Sequence, residues 1–286
     1  MKISLLTDAP RHNLALMKLS SYHKAKGDEV ELNMPLWKAD YTYASYIFED
    51  GLRFGAQERG GIGIDPKAKL PDQIESLGPD YGLFKLEHSL GYTFRACFRN
   101  CPFCKVPLLP KDIAHHSIWE FHDPRFSTIE LLNNNIFFDP LWDWTFREIC
   151  KANLKVIEHG MDLRLLDDRK AWWIKRLRWV NQPKFAWDMM KDEAKIIEGL
   201  RLLQKYKIKA MIYVLEGFDT TFEQDIYRCE IINSMGFDPF PMLYKSTKQL
   251  RRFRRMIYLR YYRKYKTIKQ AWEDYNSSFS PKPKPR

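Results

Sequence analysis

The sequence predicts an α/β protein, a partial (β/α)6 barrel preceded by a small βαβ module with parallel strands. Three observations carry that expectation. Short apolar runs alternate with amphipathic stretches from residue 91 to about 244, the pattern of strands joined by helical crossovers. A first strand, helix and strand stand ahead of them, across a segment rich in proline and glycine. From residue 245 the chain changes character and becomes dense in Arg, Lys and Tyr. The expected organisation is therefore a module and linker over 1–90, a barrel over 91–244, and a basic extension over 245–286.

The elements follow in order. Residues 2–6 form a short buried strand. Over 13–26, Leu14, Met17 and Leu19 with Ala15, Leu16 and Tyr22 give an amphipathic helix that Gly27 closes. Strands follow at 29–32 and 43–48. The turn after the first strand, Thr7-Asp8-Ala9-Pro10-Arg11, has no glycine, and Gly60-Gly61-Ile62-Gly63 lacks the third glycine of a dinucleotide cradle. It reads as a turn. Pro66, Pro71, Gly78, Pro79 and Gly82 mark 65–90 as a linker. Barrel strands are expected at 92–95, 128–132, 154–158, 184–187, 209–215 and 238–243. Helices fall at 140–151, 168–179, 191–206 and 221–235. The clearest is 191–206, with Ile196, Ile197, Leu200 and Leu203 on one stripe. A barrel of this kind places its chemistry at the carboxyl ends of its strands. Residues 248–269 are helix-compatible, and 277–286, alternating Pro with Lys, reads as disordered.

Composition narrows the class. Hydrophobic residues are 45% of 286, enough for a real core, so a wholly disordered chain is excluded. No apolar run approaches the ~18–20 residues of a membrane span, and the first residues do not read as a signal peptide. Five cysteines, three of them within eight residues, do not form a disulfide framework, which points to a reducing cytoplasm. The net charge of +11 is uneven: residues 245–286 hold 14 Lys and Arg against Glu273 and Asp274. The rest of the chain is nearly neutral.

The chemistry concentrates in Cys97-Phe98-Arg99-Asn100-Cys101-Pro102-Phe103-Cys104, a C-x3-C-x2-C loop directly after an expected strand. Three thiolates without a fourth nearby leave one iron of a four-iron cluster open to an exogenous molecule, the logic of a catalytic rather than a closed metal site. This loop resembles the signature of the radical SAM superfamily, and Phe103, just before the last cysteine, fits the family's habit. The resemblance covers residue 91 to about 244. It implies a [4Fe-4S] cluster on Cys97, Cys101 and Cys104, with S-adenosyl-L-methionine chelated by the fourth iron. It implies reductive cleavage of that molecule to a 5′-deoxyadenosyl radical, hydrogen abstraction from a substrate, and a low-potential electron donor of flavodoxin or ferredoxin type. The N-terminal region is similar to the cobalamin-domain-like module that precedes some of these barrels. It lacks the D-x-H-x-x-G motif, since Asp8 and His12 are at the wrong spacing, so cobalamin is not favoured.

Around the cluster, Asn133-Asn134-Asn135 stands where the family commonly has a Gly-Gly-Glu-like stretch meeting the amino group of SAM. Asn134 is a candidate for that contact; an Asn-rich turn is the alternative. Asp162 could hold ribose hydroxyls or the ammonium and Arg164 the methionine carboxylate, or the two could form an ion pair at the rim. Asp188 is a ribose contact or a helix cap. Gly217 would let backbone approach adenine. Thr220 and Thr221 with Glu223 and Gln224 read as a helix cap. Cys150 and Cys229 are expected in the core, and His115, His116 and His122 on a surface loop. A Cys3His zinc knuckle completed by His115 or His116 is the competing metal reading. The basic extension interleaves Arg251, Arg252, Arg254, Arg255, Arg260, Arg263 and Lys264 with Tyr258, Tyr261, Tyr262 and Tyr265, a composition used to bind single-stranded nucleic acid. Its alternative is a helix packing Met256, Ile257 and a Tyr face on the barrel. With the zinc reading, it makes a zinc-stabilised nucleic-acid-binding protein the competing function.

Overall fold

The computed structural model describes residues 1–34, 38–49 and 54–277. The chain packs as two compact units, Met1–Ile157 and Glu158–Arg286.

The first unit opens with β1 (Lys2–Leu6), α1 (Leu14–Ala25), β2 (Glu29–Leu32), β3 (Tyr41–Ser45) and β4 (Glu58–Gly60). They make one parallel sheet in the order β2-β1-β3-β4, with Ile3 opposite both Val30 and Tyr41. Asn13 starts α1 by accepting the Leu16 N–H, and Gly27, at φ +81°, ends it. Ile3 and Leu5 of the central strand pack on Leu16 and Leu19 of the helix. The Gly60–Gly63 stretch is a turn, as expected. Gly61 sits at φ +90°, and a Cβ there would stand 2.3 Å from the Tyr46 carbonyl oxygen. Its glycine serves close packing of the chain on itself.

The expected linker over 65–90 is instead a packed segment. It contains α2 (Asp72–Glu75) and a 3-10 turn at Tyr81–Phe84. Ile74 joins the core beneath α1, and Tyr81 packs with Met17 and Leu90. Ser20 and Lys24 of α1 both bond Asp80, at 2.6 and 2.7 Å. Leu70, Ile74, Tyr81 and Leu83 form an apolar face that the density of Pro and Gly obscures in the sequence.

β5 (Ser89–Gly91) pairs in parallel with β6 (Thr128–Leu131), and β7 (Lys155–Glu158) lies on the other side of β6. α3 (Trp142–Lys151) buries Trp142, Thr145, Phe146 and Ile149. Cys150, expected in the core, is exposed, because it lies a third of a turn past the buried stripe that Ile149 completes.

The second unit contains α4 (Asp168–Arg176), β8 (Arg178–Trp179), β9 (Lys184–Trp187), α5 (Glu193–Lys205), β10 (Met211–Glu216), α6 (Phe222–Ser234), β11 (Asp238–Leu243), α7 (Lys248–Tyr258) and α8 (Ile268–Ser277). β9, β10 and β11 form a parallel sheet with β10 central. α5 buries Ile196, Leu200 and Leu203. Thr221 and Gln224 close α6 with the expected capping box, and Cys229 of α6 is in the core.

The single helix expected over 248–269 is two. Arg260 turns the chain at φ +53°, a 3-10 turn follows at Tyr261–Lys264, and α8 begins at Ile268. Asp238 draws the turn in by pairing with Arg263 at 2.9 Å and Arg260 at 3.6 Å. α7 buries Leu250, Phe253, Met256 and Ile257, and α8 buries Ile268, Ala271, Trp272 and Tyr275. The rings of Phe222, Phe253 and Trp272 meet edge to face at 5.2–5.7 Å. Of the segment expected to be disordered, 278–286 lies outside the described residues.

Candidate metal centre

The cysteine loop leaves β5 earlier than the sequence suggests. The expected strand over 92–95 is replaced by a ladder that ends at Gly91, where Leu132 N–H donates to the Gly91 carbonyl. Beyond it, the Asn133 side chain takes over. Its Oδ1 accepts the N–H groups of Thr93 (2.8 Å) and Phe94 (3.1 Å), and its Nδ2 donates to Thr93 Oγ1 (2.9 Å). A side-chain amide thus stands in for the next ladder step and fixes the chain four residues before Cys97. Phe94 and Ala96 are buried at that exit.

Cys97, Cys101 and Cys104 are all half-buried thiols on this loop. The Cys104 N–H bonds the Cys101 carbonyl, folding the second half into a turn. Two N–H donors face sulfur: Val106 N stands 3.4 Å from Cys104 Sγ, and Asn135 Nδ2 stands 4.0 Å from Cys97 Sγ. Donors aimed at sulfur suit thiolate ligands and help set the potential of a bound cluster. Phe98, exposed, sits edge to face with Phe138 at 5.4 Å. Phe103 is half-buried. The residue after Cys104, Lys105, is bonded to Glu49. The cysteine loop therefore meets the segment that follows β3, past the carboxyl end of the N-terminal sheet.

Three thiols on one loop, two of them facing N–H donors, are a donor set that an iron–sulfur cluster can use. A four-iron cluster spreads its cysteines over separate irons. His115 is bonded through Nδ1 to Asp139 at 2.7 Å. His116 is bonded to both Asp112 and Glu120 at 2.8 Å, and His122 to Ser89 at 3.0 Å. Asp139 is fully buried, and the Nε2 of His115 is buried without a partner. That dyad, which sequence spacing does not reveal, holds an imidazole in one orientation with one nitrogen unused.

The Asn run divides its work. Asn133 pins the strand exit, Asn135 caps the 3-10 turn at Phe137 and faces Cys97, and Asn134 lies half-buried between them. His12, the nearest approach to a cobalt-ligating histidine, has its Nε2 3.6 Å from Glu130, whose other oxygen is bonded to His88 at 2.7 Å.

In the second unit the strand ends carry a separate set of groups. Asp162 and Arg164 form a bidentate pair at 2.7 and 3.0 Å, and Arg164 also reaches Asp192 at 2.7 Å. Burial works against charge on Arg164, but the two carboxylates more than offset it and raise its pKa. The pair therefore meets itself, as the ion-pair alternative expects. Asp188 has no hydrogen bond to its carboxylate among the described residues, and burial pushes it up to about 6 despite Arg164 and Arg228. It caps no helix. Gly217, at φ +74°, is needed for the chain's own packing, since a Cβ there would stand 2.8 Å from Leu250 and 3.0 Å from the Lys245 carbonyl oxygen.

One residue organises these strand ends. Arg228 of α6 is wholly buried and donates to the carbonyls of Trp187 (2.8 Å), Asp188 (3.0 Å) and Leu215 (2.6 Å), and to Asp225 (2.5 Å). It ties the exits of β9 and β10 together. Two further carboxyls are shifted by burial: Glu158 up to about 7, against the Gly160 N–H, and Glu216 up to about 9, with Asp225 adding to the effect.

No family model matches the sequence, and no curated protein does. Solved structures do. A radical S-adenosylmethionine methyltransferase, TsrM from Kitasatospora setae, with cobalamin and a [4Fe-4S] cluster bound, is similar with a TM-score of 0.59 over 85% of this chain and 72% of that one, at 10% identity. A second structure of the same protein, with tryptophan substrate and a SAM analog, has a TM-score of 0.56 at the same identity and coverage. The chain has the fold of these enzymes: mixed α/β with parallel sheets, a partial barrel preceded by a βαβ module.

Proposed function

We propose that the protein is a radical SAM enzyme that holds a [4Fe-4S] cluster on Cys97, Cys101 and Cys104 and cleaves S-adenosylmethionine reductively. The observation that carries this reading is the three-thiol loop, set at a pinned strand exit with N–H donors facing two of its sulfurs, on a fold shared with enzymes of that chemistry. A cluster held by these cysteines would supply the electron for reductive cleavage of SAM to methionine and a 5′-deoxyadenosyl radical. That electron would come from a flavodoxin- or ferredoxin-type donor.

The chain's own residues position and shield. Asn133 fixes the loop, and Asn135 offers an N–H to the Cys97 sulfur. Asn134 is the candidate contact for the amino group of SAM, with Phe103 beside the last cysteine as a further candidate. Asp188, whose carboxylate has no hydrogen bond among the described residues, is the candidate for the ribose hydroxyls, and Asp162 and Arg164, paired with each other, are weaker candidates. Residues 1–90 act as the accessory module, 91–244 as the catalytic barrel and 245–286 as its extension. One of the similar structures carries cobalamin. This chain would have to bind it without a histidine ligand, because His12 is directed at Glu130, and cobalamin remains the less favoured cofactor.

The test is anaerobic reconstitution of the wild-type chain and Cys101→Ala, with 5′-deoxyadenosine and S-adenosylhomocysteine both quantified. Cys101→Ala should lose cluster loading and SAM cleavage together. Full iron content with undiminished product in that variant would sink the assignment.

A further inference from the structure

A basin of about 690 Å3 lies in the second unit at the amino ends of its sheet, away from the strand exits that carry Asp188 and Glu216. β9, β10 and β11 each give it their first residue, Lys184, Met211 and Asp238. Its volume suits a small organic ligand. Ile174, Pro183, Ile208 and Met211 supply apolar lining, and Trp179 adds an aromatic ring. The Trp179 Nε1–H is spent on the Ile174 carbonyl at 3.0 Å. The ring therefore has no donor left for a ligand and offers it a surface to pack on.

The charge of the basin is one-sided. Lys175, Lys184, Lys207, Lys209 and Arg260 line it against a single carboxylate, Asp238. Asp238 is itself taken, by Arg260 at 3.6 Å and by Arg263, from outside the lining, at 2.9 Å. Lys184, Lys207 and Lys209 have no ion-pair partner among the described residues. Glu158, in the field of Lys184, is buried and outside the lining. Two of the cations stand on left-handed backbone, Lys207 at φ +52° and Arg260 at φ +53°. Each follows the last capping residue of a helix, α5 and α7, where glycine or asparagine is the ordinary occupant. The Lys207 carbonyl is held by Lys175 Nζ at 2.9 Å. Cationic side chains kept on strained turns around one basin point to a ligand.

We propose that this basin binds a nucleotide unit, its phosphates on Lys184, Lys207, Lys209 and Arg260 and its base against Trp179, with Asn181 and Gln182 of the lining to meet base edges. Free nucleotides and single-stranded nucleic acid share this chemistry, and the test separates them. The site is independent of the cluster.

Equilibrium dialysis of the full-length protein at low salt tests it with UDP, uridine, pyrophosphate and a uridylate octamer, probes that lack the adenine of SAM. UDP should bind saturably, and uridine and pyrophosphate each about tenfold more weakly or worse. Lys207→Gln combined with Lys209→Gln, both at exposed positions, should weaken UDP about tenfold and leave the melting temperature unchanged. An octamer that outbinds UDP and loses that affinity in the variant makes the site one for a single strand; otherwise it is one for free nucleotides. No saturable binding of UDP, or uridine or pyrophosphate binding as well as UDP, overturns the proposal on the wild-type protein alone. A double variant that melts like wild type and keeps its affinity for UDP also overturns it.

Discussion

At the residue scale the sharpest consequence is electrostatic. Glu216 ends β10 wholly buried, with one carboxyl oxygen lacking a partner and the other 4.0 Å from Cys229 Sγ. Burial pushes its pKa up to about 9 from an ordinary value of 4.5. The folded chain therefore keeps a proton that the unfolded chain releases. The linked stability is whole below about 4.5, shrinks as pH rises, and is gone above about 9. Glu158 and Asp188, raised to about 7 and about 6, act in the lower part of the same window. Glu216→Gln, neutral at every pH, should flatten the fall in Tm between about pH 6 and pH 9. Scanning calorimetry across that range decides it; parallel slopes for variant and wild type would contradict the burial argument. None of this is legible in the sequence, where Glu216 reads as the polar end of a strand. The cysteines are the opposite case. Their chemistry is local, three thiols in eight residues, so the motif shows before any fold is known. Asn133 was visible only as part of an Asn run, because its partners Thr93 and Phe94 lie some 40 residues away.

At the element scale, strand ends are held by side chains as much as by ladders. Arg228 looks in sequence like a solvated cation on α6, yet it is among the most buried residues of the chain. It answers three carbonyls at the exits of β9 and β10 while paired with Asp225. Removing it leaves a buried carboxyl without its countercharge and carbonyls without donors. Arg228→Met should cost about 3–5 kcal/mol, the range for breaking a buried pair from one side. Urea unfolding measures this, and a loss below about 1 kcal/mol would show that the network relaxes around the vacancy. Helical periodicity predicted α5 and α6 well because a long apolar stripe is a strong signal. The 65–90 segment was hidden because the residues of its packed face, Leu70, Ile74, Tyr81 and Leu83, are spread among breakers. The break at Arg260 was hidden because the basic residues on either side are good helix formers, while Asp238, which bends the turn, is distant in sequence.

At the scale of the whole molecule, the basic extension packs as two helices, with Phe253 and Trp272 against Phe222 of α6. α7 and α8 present an apolar stripe inward, and Lys248, Arg251 and Arg255 stay exposed. The packed helix pair thus keeps a basic outer face. Among the described residues, no helix is long and apolar enough to cross a membrane. Truncation after Thr247 should leave protein that is insoluble or lacks cooperative melting. Trp272→Ala, which opens the Phe222–Phe253–Trp272 cluster, should cost about 3–5 kcal/mol. A soluble truncated chain melting at the wild-type temperature would return the extension to a binding role.

The most direct measurement is iron and sulfide analysis with EPR on anaerobically purified protein, before and after dithionite. About four irons per chain are expected, with a reduced-cluster signal that changes when S-adenosylmethionine is added. A colourless chain that holds one zinc and stays silent on reduction would mean that the three sulfurs close a structural site rather than leave a place for a small sulfonium.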